Sequence, residues 1–238
     1  MKPAIGATAL ACGVAALNAS PGVLVYGPLG RYCSPNLVGK GASSHVALTF
    51  DDGPDAASTP MFLEQLAALG WTATFFMLGS MVDKNPRLAA EVASAGHEIA
   101  VHGYHHYNMA RRTPQAVRYD TERAHDAISN ATGATLRWFR PPYGAVTFAS
   151  LLAARRLQLR TVLWTAWGRD WRPDSTPASV LHDLDRGLLH GGTILLHDSD
   201  CTSALGAWHS ALDALKPLAD RLAAANLSVG PVGEHQIP

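Results

Sequence analysis

The sequence predicts an α/β fold, a distorted (β/α) barrel of about seven parallel strands with outer helices. From His45 onward, short apolar runs alternate with helical stretches, and this alternation requires crossover connections between parallel strands. The strand candidates are apolar throughout, which is typical of a sheet covered on both faces. An open doubly wound sheet is the alternative, although no glycine-rich dinucleotide motif follows the first strand.

Seven runs rich in β-branched and aromatic residues are the predicted strands. They are Val46–Phe50, Ala73–Leu78, Ile99–Val101, Leu136–Phe139, Thr161–Trp164, Thr193–Leu196 and Leu227–Val229. The common β/α barrel has eight strands, so a shortened, irregular barrel is expected.

The helices between these strands are predicted from their end signals. Four begin at a capping residue followed by proline, which is suited to the first helical turn: Thr59-Pro60, Asn85-Pro86, Thr113-Pro114 and Thr176-Pro177. The first three end at a glycine, as helices commonly do: Gly70, Gly96 and Gly133. Two more helices are predicted near Leu151–Leu157 and Trp208–Ala224.

The composition indicates one domain with a substantial core, because 47% of the 238 residues are hydrophobic. Acidic and basic residues balance at 19 each, so the basic excess typical of nucleic-acid-binding proteins is absent. The three cysteines, Cys12, Cys33 and Cys201, form no C-x-x-C pair, which argues against a thiolate zinc site. We expect unpaired or buried thiols, with a Cys33–Cys201 disulfide as the alternative in an exported protein.

Residues 1–44 are predicted to be an N-terminal extension of the domain formed by residues 45–238. Lys2 precedes a weakly apolar run that ends near Leu17, as in a signal peptide or a weak membrane anchor. The run is too short and too rich in Ala and Gly to predict a membrane span. We therefore expect the protein to be secreted or associated with the cell envelope, with a cytoplasmic location as the alternative. We also expect it to be a monomer.

Polar clusters follow five of the predicted strands. In parallel β/α folds, ligands and chemistry lie at the carboxyl ends of the strands. The clusters are Asp51-Asp52-Gly53-Pro54, the segment from His102 to His106, Arg140-Pro141-Pro142-Tyr143-Gly144, Arg169-Asp170-Trp171 and His197-Asp198. Five clusters at one rim, in a chain with only 16% charged residues, predict a functional site there.

His102 and His106 have the i, i+4 spacing that brings two imidazoles to one side of a helical turn. Alone, this spacing also fits a histidine-rich surface loop. Together with the Asp51-Asp52 pair at another strand end, it predicts a metal site with three protein ligands and an open position. One aspartate would bind the metal and the other would act as a general base, and spacing alone does not decide between them.

Three further rim residues have functional interpretations. Arg140 would hold a carboxylate in place and keep it ionised. His197 would donate a proton to a leaving amine, and Asp170 would fix its tautomer and keep it protonated. Taken one at a time, a surface ion pair for Arg140 and a buried structural role for His197 are the ordinary alternatives.

The order and placement of these motifs resemble those of the polysaccharide deacetylase family (carbohydrate esterase family 4, the NodB homology domain). The residues that carry the resemblance are Thr49-Phe50-Asp51-Asp52-Gly53-Pro54, His102 to His106, Arg140-Pro141-Pro142-Tyr143, Asp170-Trp171 and Leu195-Leu196-His197. It covers about residues 45 to 230. The resemblance implies a distorted barrel, with residues 45–238 as the catalytic domain.

The resemblance also implies a role for each residue. The metal ligands would be Asp52, His102 and His106, and the ion Zn²⁺, with Co²⁺ or Ni²⁺ as alternatives. The catalytic groups would be Asp51 as the base, Arg140, Asp170, His197 as the acid and the Tyr143 backbone N–H as an oxyanion donor. Tyr143, Trp171 and Leu195 would contact the substrate. The substrate would be an acetylated glycan, and the bond broken the N-acetyl amide.

One position departs from the family pattern. The residue after the first motif histidine is usually Ser or Thr, which braces the ligand loop, but here it is Gly103. The absence of the Ser or Thr hydroxyl is expected to loosen the loop and to weaken metal affinity, because losing a contact that supports a metal ligand typically lowers the affinity about 10–100-fold.

Other functions remain open from the sequence. The nearest is a hydrolase of the same fold that acts on acetylated xylan or on a small non-glycan amide. A non-haem iron oxygenase also uses two His and one carboxylate. A non-catalytic sugar-binding domain would not need Asp51 or His197.

Overall fold

The computed structural model describes residues 18–22, 24–25, 36–188 and 192–238. It contains eight strands in one parallel sheet: β1 His45–Asp51, β2 Thr74–Met77, β3 Glu98–Val101, β4 Trp138–Phe139, β5 Arg160–Thr161, β6 Ala166–Trp167, β7 Gly192–His197 and β8 Ser228–Gly230. The sheet order is β5-β4-β3-β2-β1-β7-β6, and β8 pairs with β1 beside this path. The predicted distorted barrel is therefore confirmed.

Seven helices connect these strands: α1 Thr59–Leu69, α2 Gly79–Lys84, α3 Pro86–Ser94, α4 Pro114–Thr132, α5 Phe148–Arg156, α6 Pro177–Asp185 and α7 Trp208–Ala224. All six predicted helices are present, and the predicted caps at Asn85, Thr113 and Thr176 accept backbone N–H bonds. The N-cap predicted at Thr59 is wrong, because Ser58 occupies that position. Thr59 instead donates its hydroxyl to Asp198 Oδ2 at 2.6 Å.

The predicted fifth strand, Thr161–Trp164, is also wrong in its extent, because β5 ends at Thr161 and β6 starts at Ala166. The carbonyl groups of Val162 and Leu163 accept hydrogen bonds from the buried Arg140 side chain at 3.3 and 2.9 Å. These carbonyls therefore bond to a side chain and not to a neighbouring strand. The other predicted strands differ from the observed ones by one or two residues at their ends, as boundaries commonly do.

Residues before β1 join the barrel wall. Leu37 O accepts the backbone N–H of Leu163, and Gly39 O accepts the hydroxyl of Thr193 in β7. Val25 and Val38 are buried against Leu163. Residues 37–39 thus link the chain after β5 to β7.

Cys12, Cys33 and the predicted signal-like run up to Leu17 lie outside the described residues. The thiol of Cys201 donates to Asp52 O at 3.6 Å.

The core consists of strand side chains covered by the helices. Phe50 in β1 is fully buried, and its ring centroid lies 5.1 Å from those of both Phe62 in α1 and Phe75 in β2.

Within the described part of the chain, none of the helices has both the length and the hydropathy that crossing a bilayer requires.

A buried pair of histidines lies at the amino end of β1. The Nδ1 atoms of His45 and His235 are 3.0 Å apart, so one ring donates and the other accepts, and the two rings have opposite tautomers. Burial lowers the pKa of His235 to about 4, and burial also lowers the pKa of His45, although Glu234 opposes that change.

We expect this pair to make the fold sensitive to acid. Below pH about 6.5 the unfolded chain takes up protons that native His235 refuses until pH about 4, so the free energy of unfolding falls across that interval. Urea denaturation of His235→Asn should show a smaller loss between pH 7.5 and 5 than the unchanged protein. His182→Asn, at an exposed position, is the control. An unchanged pH dependence in His235→Asn would contradict this explanation.

Candidate metal centre and active site

A pocket of about 410 Å³ lies at the carboxyl ends of the strands. Most of the predicted site residues line it: Asp51, His102, His106, Tyr143, Trp171, Leu195 and His197. The other three, Asp52, Arg140 and Asp170, lie buried behind this wall and bond to or contact the lining residues. All ten predicted residues therefore lie in or directly behind the wall of one pocket.

The strand register accounts for this convergence. Asp51, the last residue of β1, pairs with His197, the last residue of β7. Val101 in β3 pairs with Phe139 in β4, so the residues that follow them, His102 and Arg140, emerge side by side. The carboxyl ends of adjacent parallel strands thus deliver four polar side chains to one point.

Two histidine nitrogens converge on the Asp52 carboxylate, which gives three potential ligand atoms. Its Oδ1 lies 3.5 Å from the Nε2 atoms of both His102 and His106. Ligands about 2.1 Å from a tetrahedral zinc ion lie about 3.4 Å from one another. Among the described residues, these three form the one group of His, Cys and acidic side chains whose donor atoms all lie within 4.8 Å of each other.

The protonation of His102 supports cation binding. Its Nδ1 lies 2.8 Å from the Arg140 carbonyl, which can only accept, so Nδ1 carries the proton. Burial lowers the pKa of His102 to about 3, so the ring is neutral and Nε2 presents a lone pair. Asp52 Oδ1, also an acceptor, is buried without a hydrogen-bond partner among the described residues. Acceptors that face one another in this way fit a divalent cation between them.

Asp51 is held separately from this cluster. Arg140, which is fully buried, donates from Nη1 to Asp51 Oδ1 at 2.6 Å and to Thr49 Oγ1 at 2.8 Å. Burial raises the pKa of Asp51, and the charges of Arg140 and His197 oppose that rise. The second oxygen, Oδ2, lies 3.6 Å from His102 Nε2, so the carboxylate borders the proposed metal position.

On the other side of the pocket, His197 and Asp170 form a buried dyad. Asp170 Oδ1 accepts from His197 Nδ1 at 3.0 Å, and its Oδ2 accepts the backbone N–H of His197 at 2.7 Å. Burial alone would lower the pKa of His197, but Asp170, with help from Asp52 and Asp51, raises it to about 10. His197 is therefore protonated at neutral pH, with Nε2 as its second donor.

Aromatic side chains form much of the pocket wall. Trp167 stacks with Trp171 at a centroid distance of 6.1 Å, and Trp164 lies 5.8 Å from Trp167. Tyr143 lies against the His106 ring at 4.3 Å. Its φ of 58° is left-handed, which costs a non-glycine residue about 1–2 kcal/mol and is typical of ligand sites.

Sequence reasoning missed two residues that hold the aspartate loop. Thr202 donates its hydroxyl to Asp52 Oδ2, leaving Oδ1 to face the histidines. Asp198 is fully buried and accepts from the Gly53 N–H at 3.2 Å and from Thr59. Burial raises the pKa of Asp198 to about 7. Asp198 was detectable as part of the His197-Asp198 cluster, whereas no sequence signal links Thr202 to Asp52.

The structure also explains Gly103. Its φ is 93°, a conformation that side-chain-bearing residues rarely adopt, and a Cβ there would lie 3.0 Å from Asp120 Oδ2. The two Asp120 oxygens accept the backbone N–H groups of Tyr104 and His105 at 2.9 and 3.2 Å. Asp120 in α4 thus braces the loop between His102 and His106, so this loop has support without the hydroxyl that Gly103 lacks.

Comparison with known proteins is consistent with this geometry. Residues 39–162 match the model of the polysaccharide deacetylase family. A peptidoglycan-N-acetylglucosamine deacetylase of Bacillus cereus is 32% identical over 174 residues, which are 73% of this chain and 62% of the relative. This chain therefore matches somewhat less than two thirds of that protein's length.

Two further similarities widen the comparison. A chitooligosaccharide deacetylase of Bradyrhizobium is 37% identical over 166 residues, which are 67% of this chain and 76% of the relative. The crystal structure of a CE4-family pseudoenzyme from Bacillus anthracis superposes with a TM-score of 0.73 at 28% identity, covering 81% of this chain and 65% of that one.

We expect Asp120→Asn to weaken metal binding about 10–100-fold, because an amide cannot accept both N–H bonds and the loop that carries His106 loses its brace. Zn²⁺ affinity measured by chelator competition tests this without reference to activity. Asp126→Asn is the matched control, since that side chain lies on the same helix and is 72% exposed. Equal Zn²⁺ affinity in the two variants would refute the bracing role.

Proposed function

Because this chain belongs to the polysaccharide deacetylase family, we propose that it hydrolyses the N-acetyl amide of N-acetylglucosamine-containing glycans. The observation that carries the proposal is the joint presence, in one pocket, of the Asp52-His102-His106 cluster, the Arg140–Asp51 pair and the His197–Asp170 dyad. Fold alone would not suffice, since a pseudoenzyme shares it.

Asp52, His102 and His106 would hold a divalent ion, with Zn²⁺ as our first choice and Co²⁺ or Ni²⁺ as alternatives. When bound, such an ion polarises a carbonyl group and lowers the pKa of water toward neutrality. The neutral His102 ring and the free Oδ1 of Asp52 supply the nitrogen and oxygen donors that these ions accept.

Asp51 is the proposed general base. It borders the metal cluster without belonging to it, and Arg140 fixes its Oδ1 so that Oδ2 faces the pocket side near His102. Its raised pKa brings the carboxylate closer to the range in which a base works at neutral pH. It would take the proton of the attacking water.

His197 is the proposed general acid. Asp170 keeps it protonated and fixes its orientation through two hydrogen bonds. It would donate a proton to the sugar amine as the amide bond breaks. The Tyr143 backbone N–H would stabilise the developing oxyanion, and Trp171 and Leu195 would enclose the acetyl methyl.

The relatives guide the choice of substrate. Their names include peptidoglycan and chitooligosaccharide deacetylases, so glycan amides are our first proposal and an envelope-related or secreted location follows from it. The tryptophans and Tyr143 suit sugar rings, which pack on aromatic faces through their apolar C–H edges. Esters of acetylated xylan or a small non-glycan amide remain the alternative substrates.

Acetate release from N-acetylglucosamine oligomers and from acetylated xylan tests the activity. We expect release from the amide-bearing oligomers, its loss with chelator and its recovery on adding Zn²⁺. Asp51→Asn should retain metal and lose turnover by a factor on the order of 10³ or more, since both base catalysis and water positioning depend on it. Release from xylan alone would replace the amidase proposal by the esterase one.

Leaving-group chemistry tests the acid separately. His197→Ala should slow cleavage of the sugar amide about 10²–10⁴-fold and slow an aryl acetate far less, because a phenolate leaves without protonation. Steady-state kcat/KM on both substrates gives the comparison. Equal losses would mean that His197 is not the proton donor.

A further inference from the structure

A positively charged groove adjoins the pocket. Between Ile99 and Tyr119 the chain has no Asp or Glu, but it contains three arginines and three histidines, although the whole sequence balances 19 acidic and 19 basic residues. Part of this segment lines an open groove of about 600 Å³, together with Tyr143. That volume is in the range of sites that bind small molecules.

The groove continues the active-site pocket. His106 and Tyr143 line both cavities, and their rings are 4.3 Å apart. The rest of the groove is formed by Tyr107, Asn108, Arg111 and Arg112. A glycan whose acetamido group enters the pocket would therefore extend a neighbouring sugar along this groove.

The two arginines at the far side are available for a ligand. Both are exposed, and in the described part of the chain neither has an ion-pair partner, whereas Arg118 lies 3.9 Å from Glu122. Arg112 stacks on the Tyr107 ring at 3.8 Å, which pre-orders its guanidinium. Asp120 on α4 feels the charge of Arg112, but it forms no ion pair with it, and its two oxygens accept the Tyr104 and His105 N–H groups.

We propose that Arg111 and Arg112 bind a carboxylate on the sugar next to the one being deacetylated. The preferred substrates are then acidic acetylated glycans and not neutral N-acetylglucosamine oligomers. Guanidinium groups bind carboxylates with two parallel hydrogen bonds, which gives both energy and orientation. This inference rests on the proposed function, because it assumes that an acetylated glycan occupies the neighbouring pocket.

The test compares three tetrasaccharides. One alternates N-acetylglucosamine with N-acetylmuramic acid, whose lactyl ether carries the carboxylate; one alternates it with glucuronic acid; and one contains N-acetylglucosamine alone. We expect a higher kcat/KM on at least one acidic tetrasaccharide than on the neutral one, chiefly through KM and decreasing with added salt. The acidic tetrasaccharide with the higher kcat/KM identifies the sugar that supplies the carboxylate.

The variant Arg111→Gln/Arg112→Gln should lower kcat/KM on the preferred acidic tetrasaccharide about tenfold more than on the neutral one. Arg87→Gln, at a side chain that is 89% exposed on α3, should leave the acidic-to-neutral ratio unchanged. Equal losses on all three substrates, or no acidic preference at low salt, would overturn the carboxylate site while leaving deacetylation intact.

Binding separates failure of this inference from failure of the proposed function. If no glycan releases acetate, the deacetylase proposal fails, and calorimetric titration of the same tetrasaccharides still reports on the groove. Weaker binding of the acidic tetrasaccharide by the double variant would support the site, and identical dissociation constants for both proteins would overturn it.

Discussion

Two consecutive aspartates, both almost fully buried, are the constraint on which the rest of the site depends. Asp51 is 2% exposed and Asp52 is 0% exposed, and two unpaired carboxylates could not remain ionised side by side in the interior. Each is compensated differently. Arg140 pairs with Asp51, while Asp52 faces two imidazole nitrogens at a possible cation site. The strand end thus holds the proposed base and the proposed metal ligand at two consecutive residues.

The opposite charge states of Asp51 and His197 follow from this arrangement. They end adjacent strands at paired positions, so the register alone makes them neighbours. The surrounding negative charge, chiefly that of Asp170, keeps His197 protonated. Burial raises the pKa of Asp51, but the charges of Arg140 and His197 oppose that rise and favour the carboxylate. The proposed proton acceptor and proton donor thus face the same pocket, and amide hydrolysis needs both roles.

The sequence predicted the residues that emerge from strand ends and did not predict those that support them. Strand alternation and the polar residues at strand ends are local signals, so the sequence predicted the barrel and ten residues that the structure places in or directly behind one pocket. Asp120 and Thr202 act through contacts between distant segments, which no local pattern encodes. Asp120, which bonds to the loop that contains Gly103, was not predicted for the same reason, since it lies on α4, 17 positions later.

Arg140 shows why the site and the fold cannot be treated separately. Its guanidinium bonds to Asp51 on one side and to the carbonyls of Val162 and Leu163 on the other, where it interrupts the predicted fifth strand. Removing it would leave a buried carboxylate and two buried carbonyls unpaired, and breaking a buried pair in this way typically costs about 3–5 kcal/mol. A substitution of Arg140 would therefore destabilise the barrel wall, and loss of activity in such a variant carries no information about catalysis. Asp51→Asn also breaks the buried ion pair, but its amide oxygen can still accept from Arg140, whose bonds to the two carbonyls stay in place.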